Sequence, residues 1–299
     1  MSELRVDDVV IVDWSAAASP KRGRDSIWIA HVATGETFEL KAIENLATRT
    51  AAFEWLRQQL ATLSNMGRHV VCGFDFSFGY PAGYANLLQS AFSKGDCERT
   101  RFEQVLSITA SLISDAPTNA NNRFAVANMI NARTRTALFW GHPRTQSFPS
   151  LSPTKTAPPG LERNELRDFR HTERDLRVKS NWQLLGAGAV GSQVLMGLPL
   201  LEALRRSERS ATLWPFEPHH LHEQGGTVVL AEVWPSMFAT GEQTHVIRDA
   251  WQVATTAQFL GRLSPTKWTE LFAPPSWATF TPQELEEIVG EEGWILGKP

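Results

Sequence analysis

The chain has 299 residues, 42% hydrophobic and 20% charged, with a net charge of −3, which is enough apolar material for a large core in one elaborated domain or two coupled ones. This balance excludes a uniformly basic nucleic-acid coat, and no stretch approaches the roughly 20 apolar residues of a bilayer span. The N-terminus MSELRVDDVV carries acids where a secretory signal is basic and then apolar, so a cytoplasmic protein without membrane contact is expected.

Residues 8–14, DVVIVDW, form an apolar β-branched run ending in an acid, which predicts a buried strand. After the polar turn SAAASPKRGRD come SIWIAHVA and, beyond Thr34-Gly35, ETFELKAI, two strands close enough to make a hairpin, so the chain opens with a three-stranded meander. TRTAAFEWLRQQLATLSN repeats Phe53, Leu56, Leu60 and Leu63 at helical spacing, with Asn65-Met66-Gly67 as a stop. HVVCGFDF is a second apolar run ending in an acid. A strand, a crossover helix and a strand in succession place it parallel to and beside the first. Pro81 is suited to open the next helix.

Residues 97–180 are less regular. They hold a helix near 100–113, a Pro/Ser/Thr-rich loop at 147–159 and a charged stretch at 161–179, together expected as a mostly helical insertion on a core of 6–96 and 181–262. Within 131–180 there are ten Lys/Arg and five Asp/Glu, a surplus of +5. With Phe139, Trp140, Phe148, Phe169 and Trp182 interleaved, this stretch is a candidate groove for phosphates and unstacked bases, although alternating acids and arginines from 162 to 175 also suit intrahelical pairing. Arg133, Arg135 and Arg144 have no acid nearby in sequence, and Lys21, Arg22 and Arg24 follow the first strand closely enough to reach substrate phosphate.

SQVLMGLPLLEALRR predicts a helix, ATLWPFE and TVVLAEVWPS two strands, and HVIRDAWQVATTAQFLGRL an amphipathic helix with Asp249 in its first turns. Thr281-Pro282-Gln283-Glu284 is a capping-box signature for a last helix, within a helical extension over 263–299. Gly186-Ala-Gly188-Ala-Val-Gly191 matches a dinucleotide fingerprint, but VKSNWQLL before it is a poor buried strand, so a glycine-rich turn into a closely packed helix is expected instead. Cys72 and Cys97 suggest neither a disulfide framework nor a zinc cluster.

Asp13 and Asp75 end two apolar strands expected side by side, where two carboxylates repel unless a cation lies between them. A hard divalent ion such as Mg²⁺ or Mn²⁺ suits such oxygens. Glu232 and Asp249 are further acids on a strand and a helix, and Glu217 in LWPFEP is a rival to Glu232. The ordered motifs VDWSAA, GFDFSFGYP and AEVWPS resemble those of a family of RNase H-like nucleases, and HVIRDAWQVATTA resembles the terminal helix of Holliday-junction resolvases. The resemblance implies an RNase H-like mixed sheet flanked by helices, with Asp13, Asp75, Glu232 and Asp249 as ligands of two metal ions and His245 as a proton carrier or phosphate contact. It implies metal-dependent hydrolysis of DNA or RNA. From their charge and position in the sequence, Ser15, Lys21, Arg22, Arg133, Arg135 and Arg144 are the candidate substrate contacts. Two alternatives stay open: an ATP-dependent phosphotransferase of the actin and sugar-kinase type, and a non-catalytic nucleic-acid-binding or scaffold protein. A homodimer is compatible with the sequence.

Overall fold

The computed structural model describes residues 4–34, 38–93, 99–273 and 279–298, so Cys97 and the expected turn residue Gly35 lie outside the described residues. Strands β1 (Asp8–Asp13), β2 (Ile27–Ala33) and β3 (Glu39–Leu46) form the antiparallel meander, and helix α1 (Arg49–Asn65) carries the chain over to β4 (Val70–Phe74). β4 lies parallel to β1 with Val12 opposite Phe74. α1 starts because Thr48 accepts the Ala51 amide, buries Ala52, Leu56, Leu60 and Leu63, and stops at Gly67 (φ +74°).

Next come α2 (Tyr84–Phe92), α3 (Arg101–Leu112) and α4 (Arg123–Thr134), the two-residue strands β5 (Thr136–Ala137) and β6 (Glu162–Arg163), and α5 (Gly191–Ser207). β7 (Ala211–Trp214) takes the sheet edge before β8 (Val228–Glu232) enters between it and β4, giving the order β3-β2-β1-β4-β8-β7. This is a six-stranded mixed α/β sheet with helices on both faces. β1, β4 and β8 are buried nearly throughout, which is why they read as continuous apolar runs.

Strand alternation divides the core. Val10, Val12, Cys72, Phe74, Val228 and Leu230 face α1 and α5, while Val9, Ile11, Val71, Val229 and Ala231 face α7 (Arg248–Leu260). α6 (Pro235–Phe238), α8 (Pro265–Leu271) and α9 (Pro282–Glu287) complete the elements, and the capping box at Thr281 forms as expected.

Gly197 brings α5 onto the sheet. A Cβ there would stand 2.3 Å from the Phe76 ring, which is itself held by Trp14, Phe74 and Phe78 at centroid distances of 6.4, 5.6 and 5.8 Å. Two effects of Gly197→Ala oppose each other: helix propensity favours alanine by about 1 kcal/mol, and overpacking costs about 1–3 kcal/mol. Because the ring cannot retreat, we expect a net loss of about 1–2 kcal/mol in urea unfolding, and a stability gain would refute this packing.

Four expectations need correction. The 97–180 segment is helical only through α4. Residues 135–180 hold two short strands and a single 3₁₀ turn at His171–Glu173, and Phe102, Val105, Val126, Ile130, Leu138 and Leu151 belong to the main core. Apart from Arg170 and Glu173, which pair across one 3₁₀ turn, the charges from 162 to 175 do not pair with one another along a helix. Arg167 reaches Glu287 and Glu292, Arg170 reaches Glu232, and Arg174 reaches Glu284, because the segment is stretched between the sheet end and the C-terminus. The C-terminal extension is likewise part of the core: Leu296 N–H donates to the Glu232 carbonyl (2.9 Å), and Trp294 and Leu296 are buried. Pro81 does not open α2, which starts after Gly83 (φ +98°) with the Ala82 and Ala85 amides donating to Glu292 and Glu291 at 2.7 Å each. Among the described residues, no helix is long and apolar enough to cross a membrane.

Candidate functional site

β1 and β4 end level with each other. The Asp75 amide donates to the Val12 carbonyl (3.1 Å), and the Trp14 amide donates to Asp75 Oδ1 (2.7 Å). Asp13 and Asp75 then lie on the same side of the sheet, facing α7, with carboxyls close enough to share a hydrogen bond. Both keep some solvent contact. Burial, then the neighbouring Asp75 charge, then Asp249 and Asp25, hold Asp13 well above the ordinary carboxylate range. Burial pushes Asp75 up to about 6 against the pull of the Trp14 amide and its bond to Asp13, with Asp249 adding to the rise.

Asp249, in the first turn of α7, lies near enough for its charge to act on both acids. Its Oδ2 accepts the Asp25 amide (2.7 Å), fixing it against the loop that follows β1. That amide is presented by a left-handed Asp25 (φ +52°), whose own carboxylate adds a fourth negative charge facing Asp13. Asp25 had no sequence signal beyond being one acid in a polar turn. The loop is tied down by Arg49, which donates to the Ser15 and Ala17 carbonyls at 3.0 and 2.8 Å and forks onto Asp115 at 2.6 Å. Ser15 and Lys21 stay at the rim, contacting the Asp25 carbonyl and carboxylate at 3.2 and 3.3 Å, whereas Arg22 is turned onto the Asn45 carbonyl. Arg24 is exposed in the same loop. His245 is exposed and packs edge-on to Trp28 (5.7 Å), the residue opposite Asp13 on β2. Its Nδ1 accepts the Ile247 amide (3.0 Å), leaving Nε2 for solvent or substrate.

Glu232 does not join these acids, which corrects its expected role as a ligand. It is opposite Phe74 on β8, so it projects to the other face of the sheet from Asp13 and Asp75. There Arg170 takes both its oxygens at 2.7 and 2.6 Å, and the Phe78 amide adds a third bond (3.1 Å). Its rival Glu217 is also committed, to Arg205 and the Leu213 amide, and sits beyond the edge strand β7. Of the four expected ligands, Asp13 and Asp75 share a hydrogen bond and Asp249 acts on both through its charge, while the three do not bring ligand oxygens within 4.8 Å of one another.

The remaining expected substrate contacts lie on α4 and in the segment after it. Arg133 lies over Phe92 (4.7 Å) and Arg135 forms the left-handed end of α4, a helix of 12 residues spanning about 18 Å from its Arg123 end. Arg144 is exposed in the following irregular segment. Phe139 and Trp182 are core residues at 1% and 0% exposure, and Trp182 and Trp140 line a half-open pocket of about 550 Å³ together with Lys155 and Arg163. The Gly186–Gly191 segment is a turn into α5, with Gly191 packed against the Asn181 and Gln183 carbonyls.

A second acidic group, His171, Glu287 and Glu292, has ligand atoms within 4.8 Å of one another. Arg167 donates to Glu287 at 2.8 Å and to Glu292 at 2.7 Å, and the His171 ring is 2.8 Å from Glu287, so N–H donors already occupy the oxygens a cation would use. Comparison with protein-family models, curated proteins and solved structures returned no match.

Proposed function

We propose that this chain is a metal-dependent phosphodiesterase of RNase H-like architecture acting on nucleic acid, with Asp13, Asp75 and Asp249 as its cation-holding carboxylates. The observation that carries this is the Asp13–Asp75 pair: two touching carboxyls at adjacent parallel strand ends, faced by Asp249 and, among the described residues, with no lysine, arginine or histidine salt-bridged to either. The meander followed by parallel strands is the sheet that the resemblance implies and supports the same reading. The donors are hard oxygens and the acids are partly open to solvent, which fits Mg²⁺ or Mn²⁺. A cation held there supplies charge for the phosphoryl oxygens and acidifies water for in-line attack.

The chain's own groups do the positioning. The Trp14 amide orients Asp75, the Asp25 amide orients Asp249, and Arg49 holds the loop that presents Asp25. We assign proton exchange with the leaving oxygen to His245, which is supported by its packing on Trp28, the residue opposite Asp13 on β2, and by the Ile247 amide taking Nδ1 and leaving Nε2. The deciding test is cleavage of labelled single- and double-stranded DNA and RNA in Mn²⁺. We expect activity that chelator removes and that falls by at least about 10³-fold in an Asp13→Asn, Asp75→Asn double variant. Cleavage that is unchanged in the double variant contradicts the proposal.

A further inference from the structure

Arg123 has no carboxylate at salt-bridge distance, although the Asp115 charge, bound to Arg49, acts on it more weakly than burial and Arg49 do. Arg123 opens α4, donates from Nε to Ser192 Oγ (3.0 Å) and from Nη1 to Asn121 Oδ1 (2.8 Å), and lies against the Phe124 ring (4.4 Å). Among the described residues it is the one arginine that is not surface-exposed and has no carboxylate partner. The other shielded arginines each pair with an acid. Burial, with Arg49 nearby, draws its pKa down to about 10, so it remains charged at neutral pH in a place that resists charge. The Arg49 charge itself is consumed by Asp115. The Nη2 of Arg123 has no protein partner among the described residues and is not a buried atom, so it is open to an anion arriving from outside.

Its position says which anion. Ser192, which receives Nε, is followed by Gln193, whose Nε2 donates to the Trp14 carbonyl (2.7 Å). Trp14 follows Asp13, and its amide holds Asp75. One turn of α5 therefore joins Arg123 to the backbone of the acid pair. The acids face α7 and Arg123 lies on the α5 side, so a diester chain crossing the ends of β1 and β4 with its scissile phosphate at the carboxylates would meet this cation beyond Trp14, and a guanidinium fork suits a phosphate's paired oxygens.

We propose that Arg123 is a substrate-positioning residue that binds a backbone phosphate flanking the scissile one, an assignment that rests on the phosphodiesterase reading above. The test uses the full chain and the labelled oligonucleotide that the wild type cleaves, with binding measured in Ca²⁺ from 50 to 300 mM KCl. For Arg123→Gln we expect affinity lower by about tenfold and a log–log salt slope shallower by about 0.7–0.9, the value of one lost phosphate contact. In Mn²⁺, KM rises with kcat within about threefold, and Arg123→Lys recovers the slope. A purely structural role would leave the slope unmoved.

A scan of single methylphosphonate linkages in the same oligonucleotide supplies a second measurement that needs no glutamine variant. One linkage beside the cleaved bond should weaken wild-type binding as much as Arg123→Gln does, with no added loss when the two are combined. An unchanged slope in an active wild-type background, or a scan in which no flanking linkage matters, overturns the assignment while leaving the carboxylate site standing. A wild type that neither binds nor cleaves nucleic acid overturns the phosphodiesterase reading itself.

Discussion

Asp75→Asn is expected to make the cation-free protein more heat-stable at pH 7.5 than the wild type, while abolishing its stabilisation by Mn²⁺. The sign follows from burial. Asp75 titrates near 6 in the folded chain against 3.8 for an unperturbed aspartate, so the unfolded state ionises first. The group's contribution to stability is therefore complete below about pH 4 and is lost as pH rises through 6. At pH 7.5 the deficit is of the order of 1–3 kcal/mol, shared with the coupled Asp13, or roughly 2–6 °C in Tm. Asparagine keeps an oxygen for the Trp14 amide and offers an N–H to Asp13, so the gain comes without a lost contact.

In chelator, the Tm difference between variant and wild type should thus be near zero at pH 4 and grow toward pH 7.5. Mn²⁺ at about 100 times its Kd should raise wild-type stability by about 2.7 kcal/mol and leave the variant unmoved. A variant that is less stable than the wild type in chelator at pH 7.5, or a difference independent of pH, rules out this account of the pair.

The second large effect lies on the opposite face of the sheet. Arg170→Met should cost about 3–5 kcal/mol, because it strands Glu232 and Glu173 without a counter-charge in a buried setting. Arg170 is fully shielded and also donates to the Glu292 carbonyl (2.9 Å), so it joins β8, the 170–173 turn and the C-terminal segment. Adding Glu232→Leu should recover part of the loss, since an apolar pair of similar size avoids the desolvation of both charges. Glu232→Gln alone should retain Mn²⁺-dependent cleavage within about tenfold, in contrast to the collapse expected at Asp13 and Asp75. Denaturant melts and cleavage assays on the three variants check this. Activity lost in Glu232→Gln with folding intact would return Glu232 to the cation site.

Asp13, Asp75 and Asp249 were legible because each has a local signature. Two end apolar runs of strand length, and one sits in the first turn of an amphipathic helix, a position that favours acids. The meander, α1 and the parallel return to β4 were legible for the same reason, since periods of 2 and 3.6 with their stop signals are local. Asp25 and Arg123 left no such trace. One is an acid in a polar turn, made relevant by a left-handed backbone, and the other an arginine whose shielding comes from Ser192 and Phe124. The alternating charges of 162–175 suited a salt-bridged helix as well as they suit the extended segment they form, because sign alternation does not specify a partner.

By itself, then, the sequence determined the meander, α1, the core strands β4 and β8 and the helices α5 and α7, the order of the strands in the meander and crossover, and three acids at element ends. Only the tertiary structure decided which acids face one another. A one-residue change in register between β8 and β4 would move Glu232 to the Asp13 side, and nothing local to AEVWPS specifies that register. Arg170, brought from far along the chain to neutralise Glu232 in a shielded space, settles it, because a buried carboxylate goes where its counter-charge is.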